Sequence, residues 1–418
     1  MPISAIATSL TPVQQVGDVY VKRDDLYSAA GVCGGKVRTC LAISQGATGL
    51  VTSGSRASPQ VNIVAHIARY LGIPCRLHIP TGELSPEIEL AILAGGEVVQ
   101  HSPGYNSVIC SRAKADAVAT GWREIPFGME CREAVLHTAS QISNIPETTK
   151  RIVIPVGSGM SLAGIVCGLQ KAQRNIPILG IQVGADPTVR LDHYAPGWRD
   201  MVSLVKSEYD YHSPAPNYYG KLLTDPIYEA KCLQSLQPGD MLWCVGIRQG
   251  LDVTIRAAAN QADTKTHINI ITPHYKIGII DMLPIGAYLS SVNNGNLFFA
   301  YTTTETMPVG TLLVSFKKSS NTLKICQIAR RVGYRGSVGS ALFNHALLYA
   351  AKAGAKAIEL EVVPDNTHGI AFYTSRGMLC AEVLANGNRR YILPISDTAR
   401  SYYGQRPGVA PPIRRLRD

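Results

Sequence analysis

The segment Gly34-Gly35-Lys36-Val37-Arg38 sets a lysine directly behind two glycines. Glycines at such a place allow tight backbone approach to a bound group. Taken alone, the trio also fits an ordinary surface turn. A second segment reads Ile152-Val153-Ile154-Pro155-Val156, then Gly157-Ser158-Gly159-Met160-Ser161-Leu162-Ala163-Gly164. An apolar strand, a glycine loop and a helix start offer exposed amides to a phosphate, with Ser158 and Ser161 as hydroxyl donors. The segment has neither the lysine of a P-loop nor GxGxxG spacing. A tight turn packing a helix on a sheet uses the same residues. A third segment, Tyr334-Arg335-Gly336-Ser337-Val338-Gly339-Ser340-Ala341-Leu342, opens an amphipathic helix and can point amides at a pyrophosphate. Glu359 and Glu361 alternate on a strand further on. They can bind or help deprotonate an amine, or face solvent as a pair.

Two kinds of scaffold must position these residues. From about residue 14 to 250, short apolar runs alternate with helical patterns. The runs are Gly49 to Thr52, Cys75 to Ile79, Glu97 to Gln100, Arg151 to Val156 and Met241 to Val245. Val61 to Tyr70 and Glu87 to Ala94 carry apolar residues at helical spacing. This predicts α/β architecture with a largely parallel sheet. Gly250 to Lys265 reads as a junction with helical character. After it, His267 to Ile271, Leu297 to Thr302, Val309 to Phe316 and Ala357 to Val362 read as strands, and Val338 to Lys352 as a helix. Residues 407–418 are rich in Pro and Arg and read as a surface tail.

The first two glycine segments together resemble the fold type II pyridoxal-phosphate enzymes. The branch most similar is the 1-aminocyclopropane-carboxylate deaminase and D-cysteine desulfhydrase group, over roughly residues 11 to 250. Lys22-Arg23-Asp24-Asp25-Leu26 matches its opening strand, and Ile125-Pro126-Phe127-Gly128 and Thr224-Asp225-Pro226-Ile227-Tyr228 match further stretches. The resemblance implies that Lys36 bonds the cofactor covalently and later moves the substrate α-proton. It makes Gly157, Ser158, Gly159, Ser161 and Gly164 the phosphate site. Ser58 and Gln60 would hold a substrate carboxylate. Tyr218 or Tyr219 would contact substrate or transfer protons, unless they form a partly buried aromatic loop. Three positions depart from the family. Gly35 and Pro59 replace asparagines, and Trp243 to Gly250 lacks the hydroxyl usually found near the pyridine nitrogen.

The third segment, with Ala357 to Val362, Asn366 and Ala371-Phe372-Tyr373-Thr374-Ser375-Arg376-Gly377-Met378, resembles the GCN5-related N-acetyltransferase (GNAT) family over about residues 266 to 395. The resemblance implies an α+β fold that joins acetyl-CoA to an amine across a splayed pair of strands. Arg335, Gly336 and Gly339 would hold the CoA pyrophosphate. Tyr373 falls where a tyrosine often protonates the departing thiolate, though core packing accounts for it equally. Arg335 to Gly339 is one residue short of the family's loop, Gly333 replaces a common proline, and Asn366 lies two residues further from Ala371 than usual.

The expected organisation is a pyridoxal-phosphate domain over 1–250, a junction over 251–265, a GNAT-like domain over 266–395 and an extension over 396–418. The expected function is bifunctional: a lyase, deaminase or β-replacement step on an amino acid, and acetyl-CoA-dependent acetylation of an amine. A second reading is hypermodification of a DNA or RNA base, and a third a non-catalytic binding or assembly protein with degenerate cofactor sites. The formal charge of +10, from 40 Lys and Arg against 30 Asp and Glu, favours anionic partners without identifying one. Arg38, Arg56, Arg330, Arg331 and Arg335 serve equally well for cofactors or small anions, and Arg414, Arg415 and Arg417 keep nucleic acid in view. With 46% hydrophobic and 17% charged residues, the chain is neither disordered, collagenous nor a coiled-coil rod. No membrane span or secretory leader is read, and the ten cysteines form no CxxC pair. A reducing cytoplasm is therefore expected, with no metal site. Family relatives suggest a homodimer.

Overall fold

The structure, a computed structural model, describes residues 9–102, 106–248, 252–334 and 337–404. The chain divides into two compact units, residues 1–91 with 96–248, and residues 92–95 with 249–418. Among the described residues no helix is long and apolar enough to cross a membrane.

The first unit holds two sheets. One has β1 (Val13–Val16), β2 (Val19–Arg23), β7 (Arg151–Val156), β8 (Ile178–Gln182), β9 (Val202–Lys206) and β10 (Asp240–Cys244). Their order is β1-β2-β10-β7-β8-β9. Only the β1–β2 pairing is antiparallel. The other sheet has β3 (Leu50–Ser53), β4 (Cys75–Pro80), β5 (Glu97–His101) and β6 (Arg123–Ile125), in the parallel order β5-β4-β3-β6. Helices α1 (Gly35–Ile43), α2 (Gln60–Leu71), α3 (Pro86–Leu93), α4 (Asn106–Thr120), α5 (Arg132–Ser140) and α6 (Met160–Lys171) separate the strands. β3 and β10 are buried at every position and β7 at all but its first. Strands covered on both faces read as continuous apolar runs, which is why these were legible. In parallel sheets the carboxyl ends of neighbouring strands open onto a common edge, where ligands bind. Here β2, β10 and β7 are such neighbours. They release the segments 24–36, 245–248 and 157–159.

The second unit is one sheet of seven strands. They are β11 (Val253–Ala257), β12 (Leu297–Thr302), β13 (Gly310–Lys317), β14 (Thr322–Arg330), β15 (Ala357–Val362), β16 (Leu379–Val383) and β17 (Arg389–Pro394). The order is β11-β12-β13-β14-β15-β17-β16. Only β14 and β15 run parallel. The helices are α7 (Asp263–Lys276), α8 (Ile285–Asn293), α9 (Val338–Lys352), α10 (Thr367–Thr374) and α11 (Asp397–Gly404).

Two expectations are corrected here. His267 to Ile271 is not a strand but lies inside α7. Ile268 and Ile270 are spaced as on a strand, yet the face buried is Thr264, His267, Ile270 and Ile271, spaced as on a helix. The Asp263 carboxylate accepts from the amides of Ala259 and Asn260, fixing the turn before the helix. The stretch read as a junction contains β11, which pairs antiparallel with β12 from Val253↔Thr302 to Ala257↔Phe298. Val253 and Ile255 are half-buried while Thr254 and Arg256 are exposed, the alternation of an edge strand with one wet face. The tail over 407–418, Gly250, Arg335 and Gly336 lie outside the described residues.

Candidate active sites

Lys36 sits in the first turn of α1, just after the N-cap Gly34. Gly34 has φ +119°, a conformation only glycine adopts freely. The next amide, Gly35 N–H, donates to the Val245 carbonyl at 3.0 Å, which pins the helix start to the end of β10. A Cβ at position 35 would stand 2.3 Å from Asp24 Oδ2. Asp24 is itself held by the Arg38 guanidinium at 2.9 Å and the Thr11 hydroxyl at 3.3 Å. An asparagine at 35 has no room while Asp24 keeps this place, which explains the first departure from the family pattern. Arg38, fully buried and paired, is therefore a structural cation rather than an anion ligand.

The Lys36 side chain is half-buried, and among the described residues no hydrogen bond or ion pair reaches its amine. Burial alone lowers its pKa to about 8. Lys22 is also lowered to about 8, but for a different purpose. It is fully buried, donates to the Thr11 carbonyl and Asn144 Oδ1, and so braces the core.

The glycine loop follows β7. Gly159 has φ +89° and caps α6, and a Cβ there would stand 2.9 Å from Pro187 Cβ. Among the described residues the amides of Gly157, Ser158 and Gly159 donate to no carbonyl or side chain, so they and the first-turn amides of α6 form an open cradle. The Ser158 hydroxyl donates to the Gly128 carbonyl at 3.0 Å, which leaves its amide rather than its hydroxyl proton for a ligand. Ser161 is half-buried in the first turn. Gly164 has a different use. A Cβ there would meet Thr138 Cβ at 2.4 Å, so this glycine lets α5 and α6 pack closely and does not belong to the cradle. Gly159→Ala strains the loop by its positive φ and its Pro187 contact. It is expected to weaken pyridoxal-phosphate binding about tenfold, and titration of the apoprotein with the cofactor checks this. An unchanged affinity would detach the loop from phosphate binding.

Ser58 and Gln60 lie on the loop after β3 and at the start of α2. Ser58 Oγ accepts from the Gln60 amide at 3.3 Å, leaving the hydroxyl proton free. Gln60 Nε2 is occupied, donating to Thr52 Oγ1 and to the Pro126 carbonyl. Gln60 thus ties β3 to the segment after β6. Tyr218 and Tyr219 form a two-residue strand paired with Leu222 and Leu223. Tyr218 is exposed, and Tyr219 packs on the core cluster of Val19 and Val21. Two further tyrosines stand beside the cradle. The Tyr228 ring lies 3.2 Å from the Cβ position of Gly157, and its hydroxyl is 3.0 Å from that of Tyr211. Tyr211 in turn reaches Ser55 Oγ at 3.5 Å. Burial and the Tyr211 hydroxyl push the Tyr228 pKa well up, so it stays protonated.

Two more residues went unread in the sequence. Arg248 donates to Asp225 at 3.2 Å and to the Ala57 carbonyl at 3.0 Å, binding the Ser58 loop to the Tyr228 segment. Glu229 is wholly buried. Its Oε1 accepts from the amides of Val245 and Gly246 at 2.8 and 3.2 Å, and its Oε2 has no partner. Burial first, then the Asp225 charge, raises its pKa well above the carboxylate range. A buried carboxyl with an unfilled oxygen, its protonated form favoured by burial, thus stands where β10 ends, the region in which the family pattern places a hydroxyl. The only signal was adjacency, because Glu229 directly follows the matched Thr224 to Tyr228.

In the second unit, β14 and β15 pair only from Thr322↔Ala357 to Lys324↔Glu359 and then separate. A cavity of about 260 Å³ occupies the opening, lined among others by Asn366, Glu361 and Tyr373. Tyr373 is 9% exposed, and burial raises its pKa, so the phenol keeps its proton. Gly339 lies in the first turn of α9, its Cβ position 3.5 Å from Phe372. Arg376 stacks 3.6 Å over Phe372 and donates to Ser340 Oγ, clamping α10 to that turn. Gly310 leaves room for Val338, whose Cγ1 would be 2.6 Å from a Cβ. Glu359 is buried and paired with Lys317, and Glu361 is paired with Lys324. No metal-binding cluster occurs among the described residues.

Residues 6–207 match the pyridoxal-phosphate dependent enzyme family and residues 273–378 the acetyltransferase (GNAT) family. A Thermotoga maritima protein, provisionally named a 1-aminocyclopropane-1-carboxylate deaminase, is 29% identical over 40% of this chain, and the match spans 58% of that protein. The deaminase of that name from Methylobacterium nodulans is 26% identical over 54% of this chain and 85% of its own length. A crystal structure of an ACC deaminase homologue superposes with a TM-score of 0.50 at 22% identity, covering 59% of this chain and 95% of that one, and shares the fold.

Proposed function

We propose that this chain, whose N-terminal domain is a fold type II pyridoxal-phosphate domain resembling 1-aminocyclopropane-1-carboxylate deaminase and whose C-terminal domain is a GNAT acetyltransferase domain, is a bifunctional enzyme. The first domain, ending near residue 250, carries out a lyase, deaminase or β-replacement step on an amino acid. The second acetylates an amine from acetyl-CoA. The observation that carries the reading is Lys36, a desolvated and unpartnered amine at the same sheet edge as an open glycine cradle.

The residues present fit pyridoxal phosphate. The amides of Gly157, Ser158 and Gly159, with Ser161, would hold the phosphate, Lys36 the carbonyl carbon, and Glu229 the ring nitrogen through its unfilled Oε2. When bound, the cofactor supplies an electron sink for charge at the substrate α-carbon. Lys36 Nζ, once free, takes the α-proton, and its lowered pKa suits it to that work near neutral pH. Ser58 donates to the substrate carboxylate. The Tyr228 and Tyr211 hydroxyls hold a proton beside the cradle. Arg248 keeps the Ser58 loop in place.

In the second domain an amine nitrogen attacks the thioester carbon. The C–N bond forms, the C–S bond breaks, the departing sulfur takes the Tyr373 hydroxyl proton, the nitrogen releases one to solvent, and solvent returns a proton to Tyr373. Tyr373→Phe is expected to lower kcat about a hundredfold with little change in KM for acetyl-CoA. Release of CoA thiol, followed with an amine acceptor, measures it. A kcat within a factor of about two of wild type would assign Tyr373 to packing. Ten unbridged cysteines fit our placement in a reducing cytoplasm. The burial of Arg38 against Asp24 takes it out of any anion-binding patch.

A further inference from the structure

The opening between β14 and β15 is lined by consecutive residues of β14 from Lys324 to Ile328, so both faces of that strand border it. At about 260 Å³ it is small for a ligand site. Its polar equipment is specific. Lys324 pairs with Glu361 inside the lining, which cancels those two charges. Asp281, also in the lining and exposed, makes no side-chain hydrogen bond or ion pair among the described residues. One negative charge is thus left uncompensated. Tyr373, buried as a residue, also lines the opening, and its hydroxyl makes no hydrogen bond among the described residues.

Asp281 is held in place by its backbone. Its carbonyl accepts from Gln327 Nε2. Gln327 Oε1 lies 2.8 Å from His267 Nε2, whose ring is buried and whose Nδ1 meets Thr311 Oγ1 at 2.7 Å. The Leu283 amide donates to the Tyr288 hydroxyl at 2.9 Å, fixing the far side of the same loop. A loop between α7 and α8 is thereby anchored to β14 with a free carboxylate at its tip. Anchoring of this kind is what makes a surface charge effective, because the binding partner need not order it.

We infer that the acetyl acceptor is a small aliphatic amine carrying a second, cationic nitrogen, with Asp281 holding the cation while the neutral nitrogen reacts next to Tyr373. This rests on the acetyl-transfer reading above. The charge balance favours it. With the reacting nitrogen unprotonated, such an acceptor carries one positive charge, which matches the one unpaired carboxylate. An acceptor ending in a carboxylate or phosphate meets Asp281 with like charge.

The full-length protein with acetyl-CoA is assayed against diaminobutane, butylamine and γ-aminobutanoate, and against an oligonucleotide bearing an aminoalkyl base. The expected kcat/KM for diaminobutane is about tenfold or more above that for the other acceptors, the yield of one charge-assisted contact. Asp281→Asn is expected to raise KM for diaminobutane and bring the diaminobutane-to-butylamine ratio towards one. Equal use of butylamine, preference for the oligonucleotide or for γ-aminobutanoate, or a ratio untouched by Asp281→Asn overturns the inference while leaving acetyl transfer intact. No CoA release with any acceptor, together with no acetyl-CoA binding by calorimetry, overturns the acetyl-transfer reading and the inference with it.

Discussion

Lys36→Ala is expected to abolish the visible absorbance of covalently bound pyridoxal phosphate and to lower amino-acid turnover by about four orders of magnitude. That is the upper range for a positioned proton-transfer group. The reason is local. Lys36 is a half-buried amine with no counter-charge among the described residues, and this desolvation favours the neutral form. With a pKa of about 8, about one amine in ten is unprotonated at pH 7, against about one in three thousand for an ordinary lysine. Capture of the cofactor by the apoprotein therefore accelerates as pH rises towards 8 and levels off above it, because the neutral amine is the nucleophile. Acetyl transfer by the second domain serves as the control that the chain is folded. Turnover retained in Lys36→Ala would remove this lysine from the chemistry.

Glu229→Gln is expected to lower amino-acid turnover about a hundredfold, to shift the absorbance of the bound cofactor, and to leave thermal stability nearly unchanged. Glutamine keeps an oxygen to accept from the amides of Val245 and Gly246, as Glu229 Oε1 does. What it loses is a titratable carboxyl, whose protonated form burial and the Asp225 charge favour. Glu229→Leu separates the two roles. It leaves two buried amides without an acceptor, each costing about 1–3 kcal/mol, so it destabilises as well as inactivates. A Gln variant with full turnover and an unchanged spectrum would make Glu229 a structural acceptor for the β10 loop only.

The parallel framework and the glycine loop were legible because both are written locally. β7 is a buried apolar run ending in glycines, and Gly159 is required by a single backbone angle. The acetyltransferase core was legible for the same reason, with β12, α9 and β15 bounded by their own patterns. What failed was written in partners far along the chain. His267 to Ile271 is a short apolar stretch that fits either element, and its burial against β13 and β14 through Thr311 and Gln327 belongs to a helix. Val253 to Ala257 becomes a strand because β12 supplies its hydrogen bonds. Tyr228 stands beside the cradle through a contact at Gly157 and a hydroxyl pair with Tyr211, neither of which its own stretch of sequence records. Glu229 depends on amides 16 and 17 residues away. Gly35 is a glycine because Asp24 fills its Cβ space, a constraint with no local trace.

Two lysines in the first domain have pKa values lowered to about 8, Lys22 and Lys36, and of these only Lys36 is without a partner among the described residues. Incubating the full-length protein with pyridoxal phosphate, reducing with borohydride and mapping the modified peptide by mass spectrometry asks which of them the cofactor finds. The expected result is one stoichiometric adduct on Lys36 and none on Lys22. An adduct spread over surface lysines, or no adduct at all, would contradict the assignment of this domain as a pyridoxal-phosphate enzyme built on Lys36.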